Sequence, residues 1–142
     1  LAITFIYTRC PIPNFCPLMD KNFSALQDRI QNSPELSDVR LLSISFDPEF
    51  DTPTVLKAHA KKLNADPQIW SFVTGDRDNV TRLAARFGLG VMRDEQNPIE
   101  ISHTLRTAVL DTEGRLVNIY TGNSWKTEDI LADLKTITSS QH

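Results

Sequence analysis

Several absences narrow the function of this chain before any motif is considered. It contains only two cysteines in 142 residues, too few for a disulfide framework, so their count does not fix the redox compartment. No apolar run approaches the roughly 18 residues of a membrane-spanning helix. The net charge is −3 and the 15 Lys and Arg residues are scattered, which argues against nucleic-acid binding. We therefore expect a soluble domain that reaches a membrane only through a segment outside this chain.

The length suits one domain. A chain of this size can bury roughly two-thirds of its unfolded surface without disulfide staples. Leu1 opens directly into an apolar run, with no initiating methionine and no polar leader. We therefore expect residues 1–142 to form a single domain of a longer protein, whose N-terminal segment is not part of this sequence.

Both cysteines lie in one short segment, here named the cysteine loop, with the sequence Thr8-Arg9-Cys10-Pro11-Ile12-Pro13-Asn14-Phe15-Cys16-Pro17. The run before it, residues 1–7, is almost wholly apolar or β-favouring, which predicts a buried central strand. After it, an apolar stripe at helical spacing predicts a helix of about four turns. The stripe consists of Met19, Phe23, Leu26 and Ile30.

The local sequence predicts that both thiols are exposed and that Cys16 is reactive. Pro17 is tolerated at the first helical position, which places Cys16 at or beside the N-cap. N–H groups at a helix start favour a thiolate, and Arg9 adds a nearby positive charge. Such a pair serves metal binding or dithiol–disulfide exchange, with a purely structural pair as the plainer alternative.

The remaining pattern alternates strands with amphipathic helices. Strands are predicted at residues 39–46, 69–73, 104–110 and 115–120, with Gly114 in the turn between the last two. Helices follow the first two of these strands and close the chain, and residues 89–102 are predicted as a polar loop. This order predicts an α/β fold, a thioredoxin-like mixed sheet sandwiched by helices.

Several of these segments together resemble the SCO1/SenC family over nearly the whole chain. They are Phe5-Ile6-Tyr7-Thr8-Arg9-Cys10-Pro11 with Cys16-Pro17, the block Ile44-Ser45-Phe46-Asp47-Pro48-Glu49-Phe50-Asp51-Thr52-Pro53, and Ser102-His103 before a strand. The resemblance implies a thioredoxin fold that binds one copper and assists assembly of cytochrome oxidase. Carried over by position, the implied copper ligands are Cys10, Cys16 and His103. Five residues separate the cysteines here, where the family usually has three.

The resemblance also implies partners and a location. The expected partner is the copper-bearing subunit of cytochrome c oxidase, or another copper or thiol protein. The expected location is the periplasm or outer face of a bacterial inner membrane, rather than the mitochondrial intermembrane space. Two thiolates and an imidazole suit Cu(I), and an added oxygen ligand would admit Cu(II), although zinc could also bind.

Alternatives stay open at this point. Cys10 and Cys16 could act as the redox pair of a thiol–disulfide oxidoreductase that does not depend on copper. A peroxiredoxin-type peroxidase ranks last, because the Pro-x-x-x-Thr-x-x-Cys context of its attacking cysteine is missing. In the copper hypothesis, the loop at residues 89–102 is expected to move and bring His103 to the cysteines.

Other candidate residues receive plainer interpretations. His59 stands among lysines on a predicted helix, which favours a solvated basic face, and His142 is the last residue, so neither is expected to bind metal. Asp47 and Asp51 are expected to start a turn and cap a helix, or to orient His103 by a hydrogen bond.

Overall fold

The computed structural model describes residues 1–13, 15–93, 101–103 and 105–139, without the side chains of residues 91–93 and 101–103. Besides a short 3-10 helix (Pro34–Leu36), this part of the chain forms the following elements: β1 (Ala2–Ile6), α1 (Cys16–Gln31), β2 (Leu41–Ser45), α2 (Pro53–Lys62), β3 (Trp70–Val73), α3 (Arg77–Arg86), β4 (Val91–Arg93), β5 (Ile101–His103), β6 (Arg106–Leu110), β7 (Leu116–Thr121) and α4 (Thr127–Ser139).

The main sheet has the strand order β3-β2-β1-β6-β7. β1 pairs with β2 in parallel, β2 with β3 in parallel, and β6 runs antiparallel to both β1 and β7. Every residue of β1 is buried, as its uninterrupted apolar sequence predicts for a strand covered on both faces. The predicted mixed sheet with β1 at its centre is confirmed.

Helix α1 is held in place by the predicted stripe. Met19, Phe23, Leu26 and Ile30 are all buried, and each such side chain contributes roughly 1.5–3 kcal/mol when removed from water. The ring of Phe23 lies against those of Trp70 and Trp125, with centroids 6.0 and 6.5 Å away. Since Cys16 is the first residue of α1, this packing also fixes the position of its sulfur.

The ends of α2 and α3 have local causes. The Thr52 side chain accepts a hydrogen bond from the Val55 N–H, so Thr52 is the N-cap of α2, and Pro53 follows as the first helical residue. Gly88 adopts φ +77° just after α3, and Gly114 adopts φ +78° in the turn between β6 and β7. In the described part of the chain, no helix is both long and apolar enough to cross a membrane.

The prediction of a loop over residues 89–102 is wrong at both of its ends. β4 and β5 form a separate antiparallel pair in which Val91 lies opposite His103. Strands of three residues carry too little periodicity to be recognised in sequence. Residues 94–100 lie outside the described residues, as do Thr104 and His142. The predicted strand at residues 104–110 is observed as β6, from Arg106 to Leu110.

Candidate metal and thiol site

The cysteine loop leaves the carboxyl end of β1 and returns to the sheet through α1. Two backbone hydrogen bonds keep it compact: the Cys10 N–H donates to the Tyr7 carbonyl at 3.3 Å, and the Phe15 N–H donates to the Ile12 carbonyl at 3.1 Å. Both cysteines are therefore brought to the same end of the central strand.

The two cysteines are thiols and differ in exposure. Cys10 is half-buried and its Sγ lies 3.9 Å from the Ile12 carbonyl oxygen, whereas Cys16 is only 1% exposed. The two thiols are close enough for Cys10 to be the largest influence on the pKa of Cys16. The expectation that both thiols are exposed is thus wrong for Cys16, because the core packing of α1 carries its first residue into the interior.

The expectation of a favoured thiolate at Cys16 is also wrong. Its pKa is raised, first by the hydrogen bond with Cys10 and then by burial, while a backbone hydrogen bond from Tyr7 opposes the shift. Burial and a neighbouring sulfur therefore outweigh the helix N-terminus. The arrangement leaves Cys10 as the outer thiol and Cys16 as the inner one.

A buried carboxylate, Asp51, ties the cysteine loop to the segment before α2. Asp51 is 0% exposed. Its oxygens accept hydrogen bonds from the Thr8 N–H at 3.0 Å, the Thr8 hydroxyl, and the Ser45 hydroxyl at 2.5 Å. Asp51 therefore does not cap α2, and its charge is satisfied by groups at the carboxyl ends of β1 and β2.

Arg9 and Asp47 form a second link between the same two segments. The Arg9 guanidinium donates from Nε and Nη2 to the two Asp47 oxygens at 2.7 and 3.2 Å, and it lies over the Phe50 ring at 4.5 Å. The positive charge expected to assist Cys16 is thus matched by a buried carboxylate. Together, Thr8, Arg9, Ser45, Asp47 and Asp51 form what we call the aspartate clamp.

The strand that follows His103 in the chain, β6, begins at the same end of the sheet. In the antiparallel register, Ala2 lies opposite Val109 and Thr4 opposite Thr107, so β6 begins beside the carboxyl end of β1. His103 precedes the first residue of β6 by three positions. Its side chain lies outside the described part, within which no three His, Cys, Asp or Glu side chains gather as a metal site.

One pair at the site was missed in the sequence. The Asp20 carboxylate and the His59 Nε2 are 2.8 Å apart, and both side chains are largely buried. The interpretation of His59 as part of a solvated basic face is wrong. A signal was present: Asp20 stands four residues after Cys16, on the buried face that also carries Phe23 and Gln27, where a carboxylate is unusual.

These features agree with one family. The SCO1/SenC family model matches residues 1–139. The chain belongs to the SCO1/SenC family. Among SCO1/SenC relatives, it is 27% identical over 133 residues to a SCO1 protein homolog of Bacillus subtilis, covering 92% of this chain and 67% of the relative. It is 27% identical over 139 residues to the mitochondrial SCO1 homolog of Homo sapiens, covering 96% of this chain but only 44% of that protein.

Solved SCO1/SenC structures share the fold. A family lipoprotein from Bacillus anthracis superimposes with a TM-score of 0.80 at 29% identity, covering 96% of this chain and 79% of that one. BsSco, a cytochrome c oxidase assembly protein with a disulfide switch, gives 0.77 at 26% identity, covering 97% and 79%. Copper-bound ScoI of Bradyrhizobium japonicum gives 0.75 at 25% identity, covering 96% and 83%. The thioredoxin-like α/β fold is thus confirmed.

Chemically, this SCO1/SenC site offers two adjoining sulfurs of unequal access. An outer thiol such as Cys10 can attack or be attacked, and an inner thiol such as Cys16 can then close a disulfide with it. The same two sulfurs are soft donors of the kind that Cu(I) prefers.

Proposed function

We propose that residues 1–142 form a single SCO1/SenC domain that binds copper through Cys10, Cys16 and His103 and delivers it during assembly of the copper site of cytochrome c oxidase. The observation that carries this proposal is the pair of adjoining thiols at the carboxyl end of β1, one half-buried and one buried. Copper is the cargo of this reaction and is handed on by exchange of ligands with a partner's thiols.

The donor set suits the cargo. Two neighbouring thiols that already interact need little rearrangement to bind one ion, and two thiolates with an imidazole suit Cu(I). On metal binding the thiols release their protons, because the thiolate is the ligand. The aspartate clamp holds Thr8 and Arg9 rigidly, so that the metal is bound at a fixed corner of the sheet.

The assignment of His103 rests on sequence position and on the course of the backbone. His103 ends β5 just before β6, and β6 begins beside the carboxyl end of β1 according to the register. We propose that the His103 imidazole joins the two sulfurs as the third ligand when copper binds.

The proposed partner is the copper-bearing oxidase subunit, and the proposed location is the outer face of a bacterial inner membrane. Support comes from relatives: BsSco is a cytochrome c oxidase assembly protein, and the relative from Bacillus anthracis is a lipoprotein. An anchor in a segment outside this sequence would keep the domain near the oxidase.

Anaerobic titration with Cu(I) tests the proposal. The reduced protein is titrated against a competing Cu(I) chelator, and thiols are counted on the same sample before and after mild reduction. We expect one equivalent of Cu(I) in the wild type and at least about a hundredfold weaker binding in Cys10→Ala and Cys16→Ala. Loss of an outer-sphere group commonly weakens metal binding by about 10–100-fold, so loss of a ligand is expected to do at least as much.

His59→Ala is the matched control for His103→Ala. His59 is a histidine whose described contacts are with Asp20 and Phe72, so its replacement is expected to leave the copper stoichiometry at one. His103→Ala is expected to weaken Cu(I) binding. Unchanged Cu(I) affinity in His103→Ala would remove His103 from the ligand set, and unchanged affinity in both cysteine variants would refute the copper proposal.

The second candidate is a thiol–disulfide oxidoreductase that does not depend on copper. The unequal exposure of Cys10 and Cys16 favours it, because an accessible attacking thiol beside a buried resolving thiol is the arrangement that disulfide exchange uses. A redox titration with glutathione would then show a reversible dithiol couple in a protein that fails to retain Cu(I).

A further inference from the structure

Three exposed apolar side chains lie at the end of the sheet that carries the thiols. Ile12 is 44% exposed in the cysteine loop, Phe50 is 43% exposed in the segment between β2 and α2, and Val73 is 39% exposed at the end of β3. Because β1, β2 and β3 run in parallel, their carboxyl ends lie at one edge of the sheet, where open α/β sheets bind their ligands. We call these three side chains the apolar patch.

Ile12 is held beside the outer thiol. The Cys10 Sγ is 3.9 Å from the Ile12 carbonyl oxygen, and the Phe15 N–H donates to the same carbonyl at 3.1 Å. Pro11 and Pro13 flank Ile12, and their rings fix φ, so a partner that binds here has little backbone freedom to remove. Proline has no N–H, so this stretch offers a partner an apolar side chain and few hydrogen-bond donors.

Phe50 is placed near the same thiol by Arg9, the residue that precedes Cys10. The Arg9 guanidinium lies 4.5 Å from the centroid of the Phe50 ring, a distance at which the cation and the ring attract each other. The two oxygens of Asp47 fix the guanidinium from its Nε and Nη2 atoms. The Phe50 ring therefore packs against a group that is itself held in place.

Val73 is the member of the apolar patch that lies farthest from the thiols in strand order. It pairs with Ile44 of β2, and the hydroxyl of the next residue, Thr74, donates to the Ser45 carbonyl at 3.0 Å. The end of β3 therefore lies beside the start of the segment that carries Phe50. β3 is two strands away from β1.

The charged side chains beside the apolar patch are paired within the domain. Arg9 is bonded to Asp47, and Arg77 to Glu49 at 2.6 Å. A strongly charged partner would compete with these ion pairs, whereas an apolar segment would leave them intact. Apolar side chains bordered by satisfied polar groups are the usual arrangement of a protein–protein interface. This surface therefore fits a partner that is uncharged where it makes contact.

The unequal exposure of the two thiols determines what covers the apolar patch. Cys16 is 1% exposed and Cys10 is half-buried, so an incoming sulfur reaches Cys10 first. The chain that carries this sulfur must then cover the surface beside Cys10, which includes Ile12 and Phe50.

We propose that the apolar patch is the docking surface for the cysteine-bearing segment of the partner protein, and that this segment has apolar side chains next to its cysteine. The inference rests on the proposed function, in which Cys10 exchanges with a partner's thiol. A patch of three partly exposed side chains is small, and total contact areas below about 1,200 Å² are typical of transient complexes. Such a contact suits a protein that must release its partner after each exchange.

Two short peptides test the inference on the reduced, metal-free protein. Each has one cysteine in a mixed disulfide with thionitrobenzoate, flanked by leucines in one peptide and by serines in the other. Cys10 attacks the peptide sulfur, because thionitrobenzoate is the better leaving group. The Cys10–peptide bond forms and the bond to thionitrobenzoate breaks. This group leaves with the electron pair as a coloured thiolate, and the Cys10 proton passes to solvent.

The measured quantity is the ratio of the two rates, leucine peptide over serine peptide, divided by the same ratio for free glutathione. Differences in the intrinsic reactivity of Cys10 and of the peptides cancel in this preference. We expect a wild-type preference of about tenfold. Ile12→Ser and Phe50→Ser are each expected to lower it about three- to fivefold, the effect of no longer covering the exposed part of one apolar side chain. Val73→Ser is expected to lower it less.

Leu116→Ser is the matched control. Leu116 is 55% exposed and begins β7, which lies on the other side of β1 from β2 and β3. Its replacement removes as much exposed apolar surface at a distance from the thiols, so the preference should stay at the wild-type value. Ile12 lies in an exposed loop, so Ile12→Ser decides the outcome if Phe50→Ser does not fold.

Equal normalised rates with the two peptides, or a preference that Ile12→Ser and Phe50→Ser leave unchanged, would overturn the inference. A stable dimer in analytical ultracentrifugation that both variants dissociate would also overturn it, because a second copy would then cover the patch. Binding to phosphatidylethanolamine–phosphatidylglycerol vesicles that both variants abolish would do the same. A wild type that releases no thionitrobenzoate from either peptide would contradict the proposed thiol exchange as well, whereas release without preference would contradict the docking surface alone.

Discussion

The carboxylates at the two ends of the central sheet differ in burial and in the residues they bind. At the carboxyl ends of β1 and β2, Asp47 and Asp51 are 3% and 0% exposed and are bonded to groups of the cysteine loop. At the opposite end, Asp111 lies in the turn between β6 and β7. It accepts hydrogen bonds from the backbone of Glu113 and from Arg115, two and four residues away, beside solvent.

The opposite end also contains a cavity. A cavity of about 690 Å³ lies there, lined by Leu1, Val39, Leu110, Leu134 and Ile137 among others. Its lining includes neither cysteine and neither member of the Asp20–His59 pair. This cavity therefore lies apart from the two thiols.

Buried charge is the better guide to function here. A buried carboxylate destabilises a fold unless it is paired and hydrogen-bonded. A chain that keeps several of them at one corner of the sheet gives up some stability in order to fix the position of the segments they bind. At the thiol end, these carboxylates hold the segment that carries Cys10. At the far end, the carboxylate stabilises a turn that water could also satisfy.

The largest expected difference between the two ends comes from removing one carboxylate at each. Asp51→Ala leaves the Thr8 N–H and the Thr8 and Ser45 hydroxyls without their acceptor in the interior. We expect a loss of about 3 kcal/mol in the free energy of unfolding, measured by urea denaturation. The cysteine loop should loosen, which would speed alkylation of the buried Cys16 thiol.

Asp111→Ala is the matched control, because its partners remain accessible to water. We expect a much smaller loss of stability and no change in the alkylation rate of Cys16. Equal losses of stability in Asp51→Ala and Asp111→Ala would show that the aspartate clamp stabilises the fold no more than the β6–β7 turn does. The proposed difference between the two ends of the sheet would then be refuted.

The long periodic elements of this fold could be predicted from sequence, and so could the place of both cysteines. β1 and α1 carry apolar patterns over five and sixteen residues. The first pattern favours a buried strand and the second favours an amphipathic helix. The caps at Thr52 and Gly88 are equally local, because each depends on the conformation of only a few neighbouring residues.

The site chemistry could not be predicted in the same way, since it depends on contacts between distant segments. Thr8 meets Asp51 across 43 positions and Asp20 meets His59 across 39. No local pattern specifies such pairs. For the same reason the sequence led to the wrong prediction that Cys16 is exposed. Its burial results from the packing of α1, and the adjacent residues Phe15 and Pro17 do not indicate it.

A smaller effect is expected at the far end from a change of backbone alone. Gly114 adopts φ +78°, and a Cβ there would meet no atom within 4 Å, so Gly114→Ala should cost only the strain of a left-handed residue, about 1 kcal/mol. Gly90→Ala is the control, because Gly90 also has open space but no positive φ. Urea denaturation should show a loss in the first variant alone, with thiol reactivity unchanged in both.

The smallest effect expected appears only as a pH dependence, and it has opposite signs at the two ends. The pKa of Asp20 is raised by burial, partly offset by His59, so its ionisation destabilises the fold at neutral pH and the penalty disappears as pH falls towards about 3.8. The pKa of Asp111 is lowered by hydrogen bonds, first from the Arg115 backbone, so its contribution is present above about 3.8 and is lost as pH falls through its folded pKa.

Urea denaturation of Asp20→Asn and Asp111→Asn between about pH 2 and pH 7 measures both signs. Relative to wild type, Asp20→Asn should gain stability at neutral pH and lose that gain on acidification, because only the wild type is relieved by protonation of Asp20. Asp111→Asn should be the less stable variant at neutral pH and should converge with wild type at the acid end. Parallel curves for all three proteins would mean that Asp20 is as well solvated as Asp111, and the two carboxylates would then not differ in the way their burial indicates.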